Sequence, residues 1–177
     1  SAASDVYKRQ EYIYGMCENG DTLAVLAGAD PLFFAGTDDE QSVQASENGN
    51  HAIYLYDETG KLTGSIPLAE CCTDAPYALD SDGTDFFLLF SDAVVRIGAD
   101  GTQLAKSGDM GGRLLQLACA DGAVYVCVEG DRIYQTEKVI RLNTQTLEPE
   151  AELSCAGLDV QGMGTAADGT QLLISGE

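Results

Sequence analysis

The chain has 177 residues, of which 29 are Asp or Glu and 9 are Lys or Arg, so its formal net charge at pH 7 is −20. A field of this sign repels phosphate groups, which argues against nucleic acid and anionic membrane surfaces as partners. No run of about eighteen apolar residues is present, so the sequence predicts no membrane-spanning segment. The acidic residues are dispersed and 45% of the chain is hydrophobic, which favours a packed core over a disordered acidic tail.

Residues 1–10 do not resemble the rest of the chain. They back-translate without a mismatch to a transposase-type sequencing-library adapter, so we expect them to be an artefact and the native domain to span residues 11–177. The apolar pattern that begins near Leu172 still continues at the last residues. We therefore expect the final repeat to be incomplete and the chain to be part of a larger protein.

A repeated hairpin pattern runs along the chain from residue 11. Four times an apolar stretch enters a Gly-containing turn and leaves as a second apolar stretch, with the turns at Gly20, Gly83, Gly122 and Gly169. Asp-Gly or Asn-Gly between apolar runs predicts a tight β-hairpin, since type I′ turns need positive φ at both central residues. After each of the first three hairpins comes a second one, whose last strand is more polar.

This gradient from apolar to polar strands is typical of the inner-to-outer order of a propeller blade. Pro67 and Pro149 fall in the predicted outer strands, where a missing backbone donor costs little. The pattern predicts an all-β fold, a partial β-propeller of about three and a half four-stranded antiparallel blades. Insertions at 29–50 and 129–138 are expected to be loops, where propellers commonly bind partners. The expected blades cover residues 11–68, 74–107, 113–154 and, incompletely, 159–177.

Two stretches resemble a known group of repeats. Residues 53–90, which contain YLYDETGKLTGSIPL and then PYALDSDG, resemble YVTN-type and NHL-type propeller repeats, and residues 139–175 resemble them again. The resemblance implies the fold and is low in functional specificity. The chain has no Trp, unlike the tryptophan-docking and Trp-Asp propeller groups. Residues 162–175 faintly resemble the five-bladed glutaminyl cyclases, largely through the general blade pattern.

One turn carries a dense group of carboxylates, Asp80, Asp82 and Asp85. Carboxylates at this spacing can hold Ca²⁺, which needs six to eight oxygen ligands. An ordinary hairpin with solvated carboxylates is the favoured interpretation, with Ca²⁺ as the alternative. Tyrosines in the strands could stack on a sugar, although strand tyrosines usually pack against neighbours. They are Tyr54, Tyr56, Tyr125 and Tyr134.

Six cysteines and a single histidine complete the candidate residues. Cys17 and Cys119 share the position three before the turn Gly, where the repeat should hold them apart. Cys127 lies in an apolar strand, and Cys71, Cys72 and Cys155 lie in links between repeats. Structural packing is the leading interpretation, ahead of a disulfide from a link cysteine and a metal or redox site. His51, just before a strand, is expected at the surface.

No catalytic constellation is recognisable in the sequence. The leading hypothesis is a non-catalytic, extracytoplasmic binding or scaffold domain of a larger bacterial protein, secreted or lipid-anchored, with a protein, peptide or carbohydrate ligand and no cofactor. One alternative is a propeller enzyme, a lyase, hydrolase or cyclase, whose active site lies in further blades. Another is an accessory domain of a solute-binding transport protein.

Overall fold

The computed structural model describes residues 11–29, 51–68, 75–131, 135–155, 160–166 and 172–176, and fourteen strands lie within them. The first sheet contains β1 (Glu11–Asn19), β2 (Thr22–Ala29), β3 (Ala52–Tyr56) and β4 (Leu62–Pro67). The second contains β5 (Ala78–Ser81), β6 (Phe86–Leu89), β7 (Val94–Ile97) and β8 (Gln103–Lys106). The third contains β9 (Leu114–Ala120), β10 (Ala123–Glu129), β11 (Thr136–Asn143) and β12 (Pro149–Ser154). The fourth contains β13 (Val160–Thr165) and β14 (Leu172–Gly176).

Each sheet is a simple antiparallel meander in which consecutive strands are hydrogen-bonded neighbours. The first strands of the sheets lie side by side, β1 next to β5, β5 next to β9 and β9 next to β13. The described residues contain no helix, and therefore none that could cross a membrane. The expected all-β fold with three and a half blades is confirmed as a partial, propeller-like arrangement.

The second strand is buried on both faces in the second and third sheets, whereas Leu23 of β2 in the first sheet is 42% exposed. In β6, Phe86 and Leu88 pack into the cluster shared with the first sheet, whereas Phe87 and Leu89 pack into the cluster shared with the third. All four side chains are fully buried. A strand with neighbours on both faces needs apolar residues at every position, which explains the continuous apolar runs in the sequence.

The outermost strands are the polar ones. Every residue of β12 is exposed, and β8 is exposed except for one half-buried position. Pro67 and Pro149 lie in β4 and β12, each of which pairs with only one neighbour in its sheet. Proline is tolerated in such edge strands because one side of the strand has no neighbouring strand to which a backbone N–H would have to donate.

The turns differ in part from the expected type. Asp121 and Gly122 both have positive φ, at 48° and 66°, as a two-residue type I′ turn requires. At the turns containing Gly20 and Gly83 only the glycine has positive φ. The turn at Gly20 also has two residues, Gly20 and Asp21, and a positive φ at its first residue alone is the pattern of a type II′ turn. The turn at Gly83 is longer, since the four residues Asp82–Asp85 join β5 to β6.

The prediction for His51 was wrong. Its side chain is only 6% exposed, and its ring lies 5.3 Å from that of Tyr14, measured between centroids. A Cβ built on Gly28 would come within 2.8 Å of His51 Cγ, so glycine at that position makes room for the imidazole. The sequence places His51 at the end of a loop, but the neighbouring strands β1 and β2 cover it.

Candidate functional site: the inner-strand cleft

The four inner strands border a concave surface with a volume of about 710 Å³, here called the inner-strand cleft. It lies at the end of the strands where the first hairpin of each complete sheet turns. Glu18, Asp82 and Asp121 line it beside those turns, and Cys17, Asp80 and Cys119 line it one step further along the strands. All four sheets contribute residues to this surface, so the cleft forms only when the sheets are assembled.

Cys17, Asp80 and Cys119 occupy the same position in three successive repeats, three residues before the turn glycine. Equivalent positions in neighbouring blades lie at the same height along the shared axis. The structure places Cys17 and Cys119 on the same cleft with Asp80 from the sheet between them, and both are free thiols, as expected of positions that the repeat holds apart.

Asp80 joins two sheets through its carboxylate. Oδ2 accepts a hydrogen bond from the backbone N of Cys119 at 2.7 Å, and Oδ1 accepts one from the backbone N of Ser81 at 2.8 Å. Burial raises the pKa of Asp80, and the two backbone donors partly oppose that rise. A carboxyl group with a raised pKa in a cleft is a recurring property of functional sites.

The two thiols beside Asp80 are strongly biased towards the neutral form. Burial, and then the neighbouring Asp80 carboxylate, raise the pKa of Cys17 to about 12. The same two causes, burial first, raise the pKa of Cys119 far above its ordinary value. Both cysteines are free. Thiols that remain protonated at neutral pH are poor nucleophiles, so this arrangement does not supply an activated cysteine.

Side chains also connect the other inner strands. Ser81 Oγ donates to Asn19 Oδ1 at 2.8 Å, which connects the second sheet to the first. Thr165 Oγ1 donates to the carbonyl oxygen of Cys119, which connects the fourth sheet to the third. Each connection fixes the position of one inner strand relative to the next, so the walls of the cleft are held in place without a ligand.

The three carboxylates considered for Ca²⁺ have separate partners. Asp82 Oδ1 accepts from the backbone N atoms of Thr84 and Asp85, both at 2.9 Å, as in an ordinary Asx turn. Asp85 Oδ2 forms an ion pair with Arg96, whose Nε lies 2.7 Å away. Among the described residues, no group of three or more His, Cys, Asp or Glu side chains is close enough to hold a metal ion. Calcium binding at Asp80, Asp82 and Asp85 stays the untested alternative to an ordinary hairpin.

The tyrosines do not share one surface. Tyr54 and Tyr56 lie on β3 in the first sheet, whereas Tyr125 lies on β10 and packs beside the cluster between the third and fourth sheets. Tyr134 lies outside the described residues, as do Cys71 and Cys72. Tyr56 instead borders a second concavity of about 690 Å³ on the first sheet, together with Ile13 and Leu23.

The sequence analysis did not predict that Asp80 links two sheets, and considered this residue only as a calcium ligand. The signal was present in the repeat, because Asp80 aligns with Cys17 and Cys119 when the chain is superposed on its turn glycines. A hydrogen bond to a backbone group 39 residues away carries no local sequence pattern. Only the packing of the second sheet against the third reveals it.

No family profile matches this chain, and no curated protein matches it. Solved structures do. The computationally designed Ika4 protein superposes with a TM-score of 0.53 at 12% identity, over 96% of this chain and 94% of that one. The computationally designed Ika8 protein gives the same score and identity over 96% of this chain and 47% of that one.

A chain of the Mitotic Checkpoint Complex also matches, with a TM-score of 0.55 and 13% identity, over 90% of this chain and 43% of that one. The chain therefore spans nearly the whole of Ika4 and less than half of the other two. At this level of identity the likeness concerns the fold alone. Together with the sheet order, it identifies the chain as a partial, propeller-like all-β protein.

Proposed function

We propose that this chain is a non-catalytic binding domain that holds a protein or peptide partner in the inner-strand cleft. The observation that carries the proposal is the composition of the cleft. Four sheets form one preformed concavity of about 710 Å³, with Glu18, Asp82 and Asp121 along it and a half-buried Asp80 within it. A concave surface with a few placed polar groups is the usual form of a binding site.

The chemistry of the cleft favours binding over catalysis. Its cysteines are poor nucleophiles because their pKa values are raised, by burial first and by Asp80 second. Asp80 is engaged by two backbone N–H groups instead of facing a nucleophile. The excess of carboxylates favours a partner segment that carries Lys or Arg, because opposite charges accelerate encounter and fix orientation.

The proposal also covers the compartment of this domain and the larger protein to which it belongs. The acidic, lysine-poor composition supports an extracytoplasmic domain of a larger bacterial protein, related to YVTN-type and NHL-type propellers through residues 53–90 and 139–175. Sequencing the parent gene on both sides of residues 11–177 tests this setting. A secretion signal and further blades of the same period are expected, and a gene without either would contradict it.

The binding proposal is tested with fluorescent peptides of matched length that are basic, neutral or acidic. We expect the basic set to bind most tightly, with an affinity that falls as salt rises. Glu18→Gln and Asp121→Asn should weaken binding several-fold, whereas Glu148→Gln, at an exposed turn outside the cleft, should leave the Kd unchanged. If no set binds, or if all three variants weaken binding equally, the cleft is not the binding site.

A further inference from the structure

Two methionines line the inner-strand cleft, one at each end of the row of inner strands. Met16 belongs to β1 in the first sheet and Met163 to β13 in the fourth, and both border the cleft. Met16 is 60% exposed. Cys17 and Cys119 line the cleft as well, so sulfur makes up an unusual share of its wall. Sulfur is more polarizable than the carbon of other apolar side chains.

Met163 is supported on the side away from the cleft. It packs against the apolar cluster that contains Cys127 and Val139, and its Sδ lies 3.4 Å from Cys127 Sγ. Cys127 is fully buried and does not border the cleft. A partner that enters the cleft therefore meets a thioether whose freedom is already restricted, and ordering this side chain costs less on binding.

Two kinds of side chain are missing from the cleft. Among the described residues that line it, none is aromatic and none is Lys, Arg or His. Several are small, including Ala120, Ala123 and Gly164, which leaves room for a bulky group from outside. The cleft offers thioethers and carboxylates, so the groups that complement them, an aromatic ring and a cation, have to come from the partner.

We infer that the partner segment carries an aromatic side chain next to a Lys or Arg, and that the aromatic ring packs against the thioethers of Met16 and Met163. This inference rests on the proposed binding function and adds the class of side chain that the cleft selects. Thioether sulfur makes favourable contacts with aromatic rings, and methionine adapts to the shape of a bound partner. Aromatic residues and Arg are enriched among the anchors of protein interfaces. Glu18 and Asp121, beside the turns, attract the neighbouring cation.

The test uses the full chain and three basic peptides of equal length and charge, which carry Phe, cyclohexylalanine or Ala beside a Lys. Cyclohexylalanine matches Phe in size and is more hydrophobic, but it has no π-system, so burial of apolar area alone would favour it. We expect the Phe peptide to bind about two- to tenfold more tightly than the cyclohexylalanine peptide, which is the range that a sulfur–aromatic contact supplies. The Ala peptide should bind most weakly.

Met16→Leu and Met163→Leu keep the apolar volume and remove the sulfur. Combined in one chain, they should abolish the preference for Phe over cyclohexylalanine. Met110→Leu is the matched control, because Met110 is 6% exposed in the cluster between the second and third sheets, and it should keep the preference. Circular dichroism verifies that each variant is folded. Replacing all methionines by norleucine, which exchanges the sulfur for a methylene group, provides a second preparation that should also lose the preference.

The outcomes separate this inference from the proposed function. If no basic peptide binds the parent chain, the proposed function fails and the inference fails with it. If the peptides bind but cyclohexylalanine binds as tightly as Phe, the inference alone is overturned. It is equally overturned if the preference for Phe survives in the folded double variant or the norleucine protein, or if Met110→Leu abolishes it.

Discussion

Asp80 Oδ2 accepts a hydrogen bond from the backbone N of Cys119 at 2.7 Å, so a side chain of the second sheet is held by the main chain of the third. The bond lies beside the inner-strand cleft, where the two innermost strands run next to each other. The geometry of the cleft therefore depends on a polar contact between sheets as well as on the apolar clusters behind it.

Replacing Asp80 by Asn should destabilise the fold. The amide has one acceptor oxygen for the two backbone donors of Ser81 and Cys119, so one N–H group loses its partner. We expect a loss of about 1–2 kcal/mol in the free energy of unfolding, measured by urea titration. Glu58→Gln, which also removes one charge but at an exposed turn, should change it by less than about 0.5 kcal/mol. Equal effects would assign the loss at Asp80 to net charge.

The ion pair between Asp85 and Arg96 is largely buried, with side chains 11% and 13% exposed. Arg96 Nη1 also donates to the Gln145 carbonyl at 3.1 Å, which extends the contact from the second sheet to the third. Asp85→Ala should lower the free energy of unfolding by about 3 kcal/mol, because it leaves the Arg96 guanidinium buried without its counter-charge. Denaturant unfolding provides the measurement.

The exposed pair of Lys138 and Glu152, 3.2 Å apart, provides the comparison for Asp85. Its carboxylate side chain is 59% exposed, so Glu152→Ala should cost less than about 1 kcal/mol. Replacing Asp85 and Arg96 together should cost less than the sum of the two single changes. A strictly additive double variant would show that the two side chains do not interact.

His51 should make stability depend on pH. Burial lowers its pKa below the ordinary value of 6.5, so the unfolded chain binds the proton more readily than the folded one. This contribution to stability is present above about pH 6.5 and is lost as pH falls through the lowered folded pKa. The free energy of unfolding of the parent should therefore fall relative to that of His51→Gln between about pH 7.5 and 5. If the free energies of unfolding of the two proteins changed with pH by the same amount, the pH dependence would not come from His51.

Calcium should leave the melting temperature unchanged. Asp82 is occupied by the backbone N–H groups of its own turn, and Asp85 by Arg96, so a Ca²⁺ ion at this turn would have to displace both sets of bonds. Millimolar Ca²⁺ in a thermal melt, with Mg²⁺ as the control for ionic strength, tests this expectation. A rise specific to Ca²⁺ that disappears in Asp82→Asn would favour the calcium hypothesis.

Much of the architecture could be predicted from the chain alone, because strand and turn signals are local. The apolar run at Phe86–Leu89 predicts a strand covered on both faces, and Asp121–Gly122 predicts a type I′ turn. His51 shows where this approach fails. A histidine before a strand looks exposed in sequence, and only the adjacent strands β1 and β2 show that it is buried.

By itself, the sequence determined the all-β class, the hairpin period and the order of apolar and polar strands, since each follows from residues within about a dozen positions of one another. The tertiary structure alone decided which side chains meet between sheets. Asp80 meets the backbone of Cys119 across 39 positions, and Cys127 meets Met163 across 36. The way each sheet packs on the next selects these partners, and this packing reflects the apolar clusters as a whole rather than any local pattern.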